Sequence, residues 1–493
     1  MKSISAMVIS LESRGRHHSG GESGVRVRHS RFPNAARVSE KITKPSIRAR
    51  DPPGFDGFVR PGRGSSHANF HSVACSNRPA NVQMNQPLHP FRKPQARFSV
   101  RTVTPGELCA RDAEAWIGLE SRAAEPNAYL SPHFVLPAAR YLDPASQPLI
   151  FLTERVACGQ RDLVGVAVLQ RSAATRLFPV PHLAAYQSRH TFLSGLLLDR
   201  EWLQEGLTAL VEHARCEPGH KGIEVTQMWA DGPLAQAIGG RVAGGRNLHL
   251  DAERGQRAVL RPADAGPKML QAVLGKRMKD LDRRMRRLGE RGEVGWRYHR
   301  EGGIPESAVE AFLALEHAGW KGQQGSSLRS APADECFFRK MIAGFGAEGR
   351  ALFLELTLDG VAIASISNII SGNVGFGFKL GWNPEFKAYS PGLLNEVAFI
   401  REAPEAFPDI SYFDSGASAD SFMDTLWPVR RPLATATVPT TPLARLLTDT
   451  ASSARQLKRG WKANNVHPVA LHATKPEWMS LAAESFNSLA LLF

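Results

Sequence analysis

Residues 352–400 read LFLELTLDGVAIASISNIISGNVGFGFKLGWNPEFKAYSPGLLNEVAFI. LFLELTL, VAIASISNII and VGFGFKLGW are strand-like segments joined by an Asp359-Gly360 turn and a Ser371-Gly372-Asn373 turn, which predicts a three-stranded antiparallel meander. A polar loop follows, and then SPGLL opens a helix. Ser390 is the expected N-cap, Pro391 sits where a missing N–H costs nothing, and Gly392 removes the side chain of the first turn. Leu393, Leu394, Val397 and Ile400 then anchor the helix on a sheet, with Pro404 expected to end it and ISYFDSG (410–416) expected as a further strand. A helix N-terminus in that setting offers free backbone N–H groups and the positive end of the dipole, which suits an anion. The alternative reading is that Ser-Pro is simply a good helix start.

The segments before the meander point to an α+β chain. RFSVRTV is expected as a strand and ELCARDAEAWIGLESRA as a helix. PLIFLTERV and LVGVAVLQRSA read as a hairpin around a slightly long CGQRD loop, and the strands of this region are expected to be antiparallel. HLAAYQSRHTFLSGLLL reads as extended, EWLQEGLTALVEHA as a helix, GIEVTQMWA as a strand, GPLAQAIGG as a short helix and RAVL (257–260) as a lead-out. From 268 to 290 one basic amphipathic helix is predicted. Leu270, Leu274, Met278, Leu281, Met285 and Leu288 form its stripe, and Lys276, Arg277, Lys279, Arg283, Arg284, Arg286 and Arg287 cover the rest. Such a face can meet RNA, an anionic membrane or an acidic substrate, or it can be the solvated side of a core helix. Two more helices, SAVEAFLALEHAGWKG and ECFFRKMIAGFGAEG, precede the meander.

The chain has 493 residues, more than one hydrophobic core usually organises, so two or three domains are expected. Its formal net charge is +14, and residues 1–95 carry most of it, with 16 Lys and Arg against 5 Asp and Glu. That stretch is rich in Gly, Pro, Ser and Arg and lacks apolar periodicity, so 1–95 is expected to be a disordered basic extension. It could be a tail for nucleic acid, a transit peptide or an upstream extension ahead of a start at Met84. The overall charge is therefore no argument for a nucleic-acid partner. Five cysteines without a CxxC pair argue against a zinc site or a disulfide framework and fit a reducing, cytoplasmic setting. No apolar run reaches the length of a membrane span. Residues 446–493 are expected to form a helical or frayed tail.

The order meander, helix with its N-terminus beside the last strand, then a further strand resembles the GNAT acyltransferase fold. In that fold the coenzyme A pyrophosphate rests on the helix end. EHAGWKG (316–322), FFR (337–339), FKLGWNPEFKAYSPGLLNE (378–396) and FDSGAS (413–418) are similar to the acetyltransferase domain of CelD-type cellulose-biosynthesis proteins, a branch related to Fem-type peptidyltransferases. The resemblance covers residues 256 to 440 well. It implies tandem GNAT-like domains, each a mostly antiparallel mixed sheet flanked by helices: 96–255 a degenerate unit and 256–445 the acetyltransferase unit. Many relatives carry a Tyr-Lys pair after the Asp-x-Gly strand. Here Ala419 to Trp427 and then Arg430-Arg431 stand instead, so no role of that lysine is carried over.

The resemblance implies an acyl-CoA donor, acetyl-CoA or another, with no metal, and an amine acceptor that attacks the thioester directly. Ser390, Pro391, Gly392, Leu393 and Leu394 are the expected donor seat. Asp414 is a candidate to accept a proton or orient the amine, or else caps the turn after it. Glu316 is a candidate base and Lys321 a candidate acceptor contact beside Trp320, or Glu316 and Lys321 form a surface pair framing a core Trp320. Lys379 is expected to point opposite Phe376 and Phe378, into the cleft or solvent. Tyr389 is either a general acid to the thiolate or packs the loop. The strand 374–382 can supply N–H groups to the thioester oxygen. Two other functions compete: an aminoacyl-tRNA-dependent ligase with RNA on the basic helix, and an inactive module of an exopolysaccharide system.

Overall fold

Period-two apolar segments become strands and period-3.6 segments become helices along most of the chain, in a computed structural model that describes residues 97–241, 248–250 and 255–464. The first half runs β1 (Arg97–Val103), α1 (Ala110–Glu120), α2 (Pro132–Pro137), β2 (Leu149–Ala157), β3 (Gln160–Ser172), β4 (His182–Ala185) and β5 (Leu197–Leu198). It continues through α3 (Leu203–Cys216), β6 (Gly222–Trp229), α4 (Pro233–Arg241) and β7 (Leu248–Leu250). The second half begins β8 (Gln256–Leu260), α5 (Pro267–Leu274), α6 (Arg277–Gly289), β9 (Val294–His299), α7 (Glu306–Ala318), α8 (Trp320–Gln323) and α9 (Pro332–Ala347). The meander β10 (Ala351–Leu358), β11 (Val361–Ser371) and β12 (Val374–Trp382) follows. After it come α10 (Pro391–Ala406), β13 (Tyr412–Asp414), β14 (Val429–Pro439) and α11 (Pro442–Asn464). The expected basic extension over 1–95 and most of the expected tail lie outside the described residues.

The strands form one mixed sheet in the order β1-β2-β3-β4-β6-β14-β8-β13-β12-β11-β10-β9, with β5 on β3 and β7 on β14. Its two ends repeat each other. Antiparallel runs β1 to β4 and β9 to β12 each finish on a parallel neighbour, β4 beside β6 and β12 beside β13. Between those partners the chain crosses over through α3 in one half and α10 in the other, as parallel pairing requires. The antiparallel pair β14·β6 joins the halves at the centre. The strand β14, from the far end of the second half, also pairs with β8 of that half and with β7 of the first, so one hydrogen-bonded sheet runs through both halves.

Three apolar cores lie against this sheet. One holds α5, α6 and α10 on the second half, and another holds α3 and α4 on the first. The third is shared, running from Trp116, Phe134 and Ile150 to Phe312, Phe337 and Phe376.

Several expectations change. The β2–β3 loop is a tight two-residue turn, since Cys158 and Gly159 take φ of 52° and 77° and β3 begins at once at Gln160. HLAAYQSRHTFLSGLLL is extended only at β4 and β5. The helix expected over 268–290 is two helices, because Gly275 adopts φ 52° and ψ −120° and turns the chain between α5 and α6. The helix α10 continues past Pro404 to Ala406, since a proline in the last turn forfeits only one intrahelical bond.

Candidate active site

The strand β12 carries the site because its pairing changes partway along. Its parallel register with β13 stops at Phe376↔Asp414, so Gly377 to Trp382 continue with no partner on that side. Gly377 and Gly416 stand where the strands part. A Cβ on Gly377 would meet the Ser415 carbonyl at 2.9 Å, and one on Gly416, whose φ is +65°, would meet the Gly377 carbonyl at 2.5 Å. On the other edge the β11 register skips Phe378, pairing Ser367 with Lys379 and Asn368 with Gly377. This bulge re-aims the side chains. Phe378 joins the shared core, and Lys379 follows it to the α7 side instead of pointing opposite, because the extra residue breaks the alternation.

A cavity of ≈ 290 Å³ opens at this parting, reached from Lys321, Gly377, Phe378, Lys379 and the 415–417 turn. Below the sheet it meets Asn368 of β11, Glu396 of α10 and Trp427. Glu396 Oε2, Asn368 Nδ2 and Trp427 Nε1 are all buried there without a hydrogen-bond partner among the described residues. Leaving such a group unpaired costs about 1–3 kcal/mol, so three around one cavity mark a site built for a polar occupant. Burial alone pushes the Glu396 carboxyl up to about 8, so it is largely neutral at pH 7.

On the α7 face of the gap, Glu316 is buried. Its Oε2 accepts from the Leu328 N–H at 2.8 Å, and its Oε1 lies 3.6 Å from Lys321 Nζ and 3.8 Å from Lys379 Nζ. Lys321 Nζ also donates to the Leu380 carbonyl at 3.1 Å. Burial holds both ammonium groups below the usual lysine range, partly offset by the Glu316 charge. The structure thus gathers these three sequence candidates at one place. Trp320 is half-buried at the start of α8, outside the cavity lining.

Beside Lys379 stands a pair that local sequence does not announce. His190 Nε2 lies 2.7 Å from Asp334 Oδ1, and the same oxygen accepts from Arg189 Nε at 2.8 Å. The His190 ring stacks on Phe337 and meets the edge of Phe378. Burial, reinforced by Lys379, lowers the imidazole to about 4. With Nε2–H directed to the carboxylate, Nδ1 is left as an acceptor.

Asp414, by contrast, is fully buried and engaged: Oδ2 accepts from Arg257 Nη1 at 3.2 Å and Oδ1 from the Gly416 N–H at 3.0 Å. It takes the turn-capping role and holds the 415–417 turn in place, because a carboxylate tied to a guanidinium and an amide has little to offer an amine. Tyr389 sits against Phe386 (ring centroids 6.5 Å apart), outside the cavity lining, so it packs the loop.

At the mouth of α10 the expected cap is replaced. Ser390 is left-handed (φ 55°, ψ 58°), makes no side-chain cap, and its Oγ accepts from Arg284 Nη1 of α6 at 2.6 Å. The 3-10 turn Pro384–Tyr389 ends on that left-handed residue, whose backbone departs from the extended conformation an N-cap takes, so its hydroxyl does not cap the first turn. Pro391 and Gly392 are buried, and a Cβ on Gly392 would meet Trp382 Cδ1 at 3.3 Å, so the glycine serves close approach to β12. Leu394 N–H already bonds to the Ser390 carbonyl at 3.0 Å. The first-turn N–H groups of Gly392 and Leu393 remain, flanked by the Arg284 guanidinium. Leu394 itself is buried in the α10 core, with Leu393 packed at its edge.

A parallel pair that separates beyond a glycine contact, with a helix N-terminus at its open end, coincides with a family match: residues 275–423 match the model described as acetyltransferase (GNAT) domain. The chain carries a GNAT-type acetyltransferase domain. Comparison with curated proteins gives no match. Among solved structures, a crystal structure of FemX is similar at 10% identity and TM-score 0.45, covering 71% of this chain and all of that one. A C-terminal domain of a putative lysylphosphatidylglycerol synthetase from Agrobacterium fabrum is similar at 13% identity and TM-score 0.40, over 69% of this chain and 95% of that one. A tandem GNAT protein from the clavulanic acid biosynthesis pathway gives 14%, 0.35, 71% and 99%. At these values none carries an inference about what this chain binds. The GNAT domain contains the gap, α10 and the Glu316 cluster, while His190 comes from outside the matched residues. Among the described residues no helix is long and apolar enough to cross a membrane, and no group of His, Cys, Asp and Glu is arranged to hold a metal.

Proposed function

We propose that the chain is an acyl-CoA-dependent N-acyltransferase of the branch resembling the CelD-type proteins. The observation that carries this reading is the opening between β12 and β13, with α10 and Arg284 at one end and buried polar chemistry on both faces. The donor phosphates rest on the Gly392 and Leu393 N–H groups beside Arg284, where helix dipole and guanidinium add. The pantetheine arm follows the unpaired edge of β12, whose N–H groups can meet its amides and the thioester oxygen. The amine enters from the α7 face between Lys379 and His190. Its nitrogen attacks the thioester carbon, the C–N bond forms as the C–S bond breaks, and CoA leaves as the thiol once the thiolate has taken a proton. His190 Nδ1 accepts the amine proton while Asp334 holds the ring.

Isothermal titration tests the donor half. CoA should bind, and Arg284→Glu and Gly392→Asp should each weaken it at least tenfold while the thermal melt of Arg284→Glu stays intact. No CoA binding by folded protein would overturn the reading. Salt-dependent tRNA binding lost on neutralising Arg283, Arg284, Arg286 and Arg287 would support the aminoacyl-tRNA ligase instead.

A further inference from the structure

The cavity continues beneath β12 as far as β11, past the point where a thioester would meet the gap. An acetyl group needs little of that ≈ 290 Å³, whose size lies near the lower end of small-molecule pockets, roughly 300 Å³ and upward. Its walls are mixed. Ile366, Leu380, Phe399 and Met423 supply apolar surface, and Asn368, Glu396 and Trp427 interrupt it from a strand, a helix and the segment after β13. A cavity meant for a plain hydrocarbon chain has no use for three unpartnered polar side chains, each at least 96% buried.

We propose that this cavity receives the transferred acyl group, and that the group is longer than acetyl and carries a hydroxyl or carbonyl oxygen bound by Asn368, Glu396 and Trp427. The inference rests on the acyl-CoA reading above. Three groups of this kind favour an oxygen acceptor: the indole Nε1–H and the Asn368 amide donate, and Glu396 also donates when protonated. That protonated form prevails at neutral pH because burial among Phe399, Trp427 and β11 disfavours the charge. The shared pantetheine arm does not call for these side chains, since the free edge of β12 offers backbone groups along its length.

Titration with CoA, butyryl-CoA and 3-hydroxybutyryl-CoA separates the possibilities. The hydroxylated chain should bind about tenfold tighter than the plain one, and the preference should fall to near unity in Glu396→Leu and in Trp427→Phe. The second variant keeps a ring in the core and removes only the N–H, so the test survives if the first does not fold. CoA binding with no preference between the two acyl chains overturns the inference and leaves the acyltransferase reading standing. Equal weakening of all three ligands in Trp427→Phe places these groups on the shared arm and also overturns it. No binding of any of the three overturns both.

Discussion

Glu396 is a buried acid whose Oε2 has no hydrogen-bond partner among the described residues, and its ionisation is linked to folding because burial raises its pKa. Its folded pKa of about 8 lies above the unfolded value of about 4.3, so between those values the unfolded chain ionises first. Stability from this group is full at low pH and declines as pH rises through that window, by at most ~1.4 kcal/mol per unit. Glu396→Gln should remove that slope, so urea midpoints of wild type and variant should diverge in the variant's favour from pH 5 to pH 8. Parallel curves would show the carboxyl ionising normally. His190 gives a second expectation at this scale. With the imidazole lowered to about 4, the acid limb of acyl transfer should fall below pH 5, and His190→Ala should reduce kcat about 10²-fold with donor KM little changed. Thiol release from acetyl-CoA with a panel of amines reads both. Glu316, Lys321 and Lys379 could be named from sequence because charged residues stand out in apolar helix and strand patterns. His190 and Asp334 could not, since 144 residues separate them and only the fold brings them to 2.7 Å.

At the level of elements, the turns of the meander were legible because Asp-Gly and Ser-Gly-Asn carry their own backbone geometry. What the local pattern could not reveal is how β12 ends its pairing. The bulge at Phe378 and the parting at Gly377 depend on β11 and β13, and the bulge reverses the direction expected of Lys379. Two glycines separate backbone strain from collision. Gly275→Ala meets open space and should cost only its strained backbone (φ 52°, ψ −120°), about 1–3 kcal/mol. Gly416→Ala adds contact with the Gly377 carbonyl to a similar strain, so it should cost more than Gly275→Ala and should also weaken CoA by closing the gap. Chemical denaturation and titration of the two variants provide the comparison, and equal costs would mean the 415–417 turn yields freely.

For the whole molecule, the halves share a core and a set of buried ion pairs. Glu120 of α1 accepts from Ser131 Oγ at 2.8 Å, Ser371 Oγ at 3.1 Å and the Arg350 guanidinium, the last two from the second half. Glu120→Ala removes an acceptor from both hydroxyls and from Arg350, which keeps Glu348 and the Ile370 carbonyl, and should cost about 1–3 kcal/mol. Since β14 pairs with both β6 and β8, calorimetry should record one unfolding transition for wild type, with both halves lowered together in the variant. Two separated transitions would contradict this coupling.

Read by itself, the sequence determined the α+β class, the meander, the α10 start and the charged residues near the gap, because apolar period, turn chemistry and proline placement act over a few residues. Tertiary structure decided the rest. It broke the basic helix at Gly275, tied Asp414 to Arg257, turned Ser390 toward Arg284, and set Asn368, Glu396 and Trp427 around one cavity. Apart from the break at Gly275, where the glycine is visible in the helical pattern, each of those outcomes rests on contacts between residues far apart in the chain, which leave no mark in local composition.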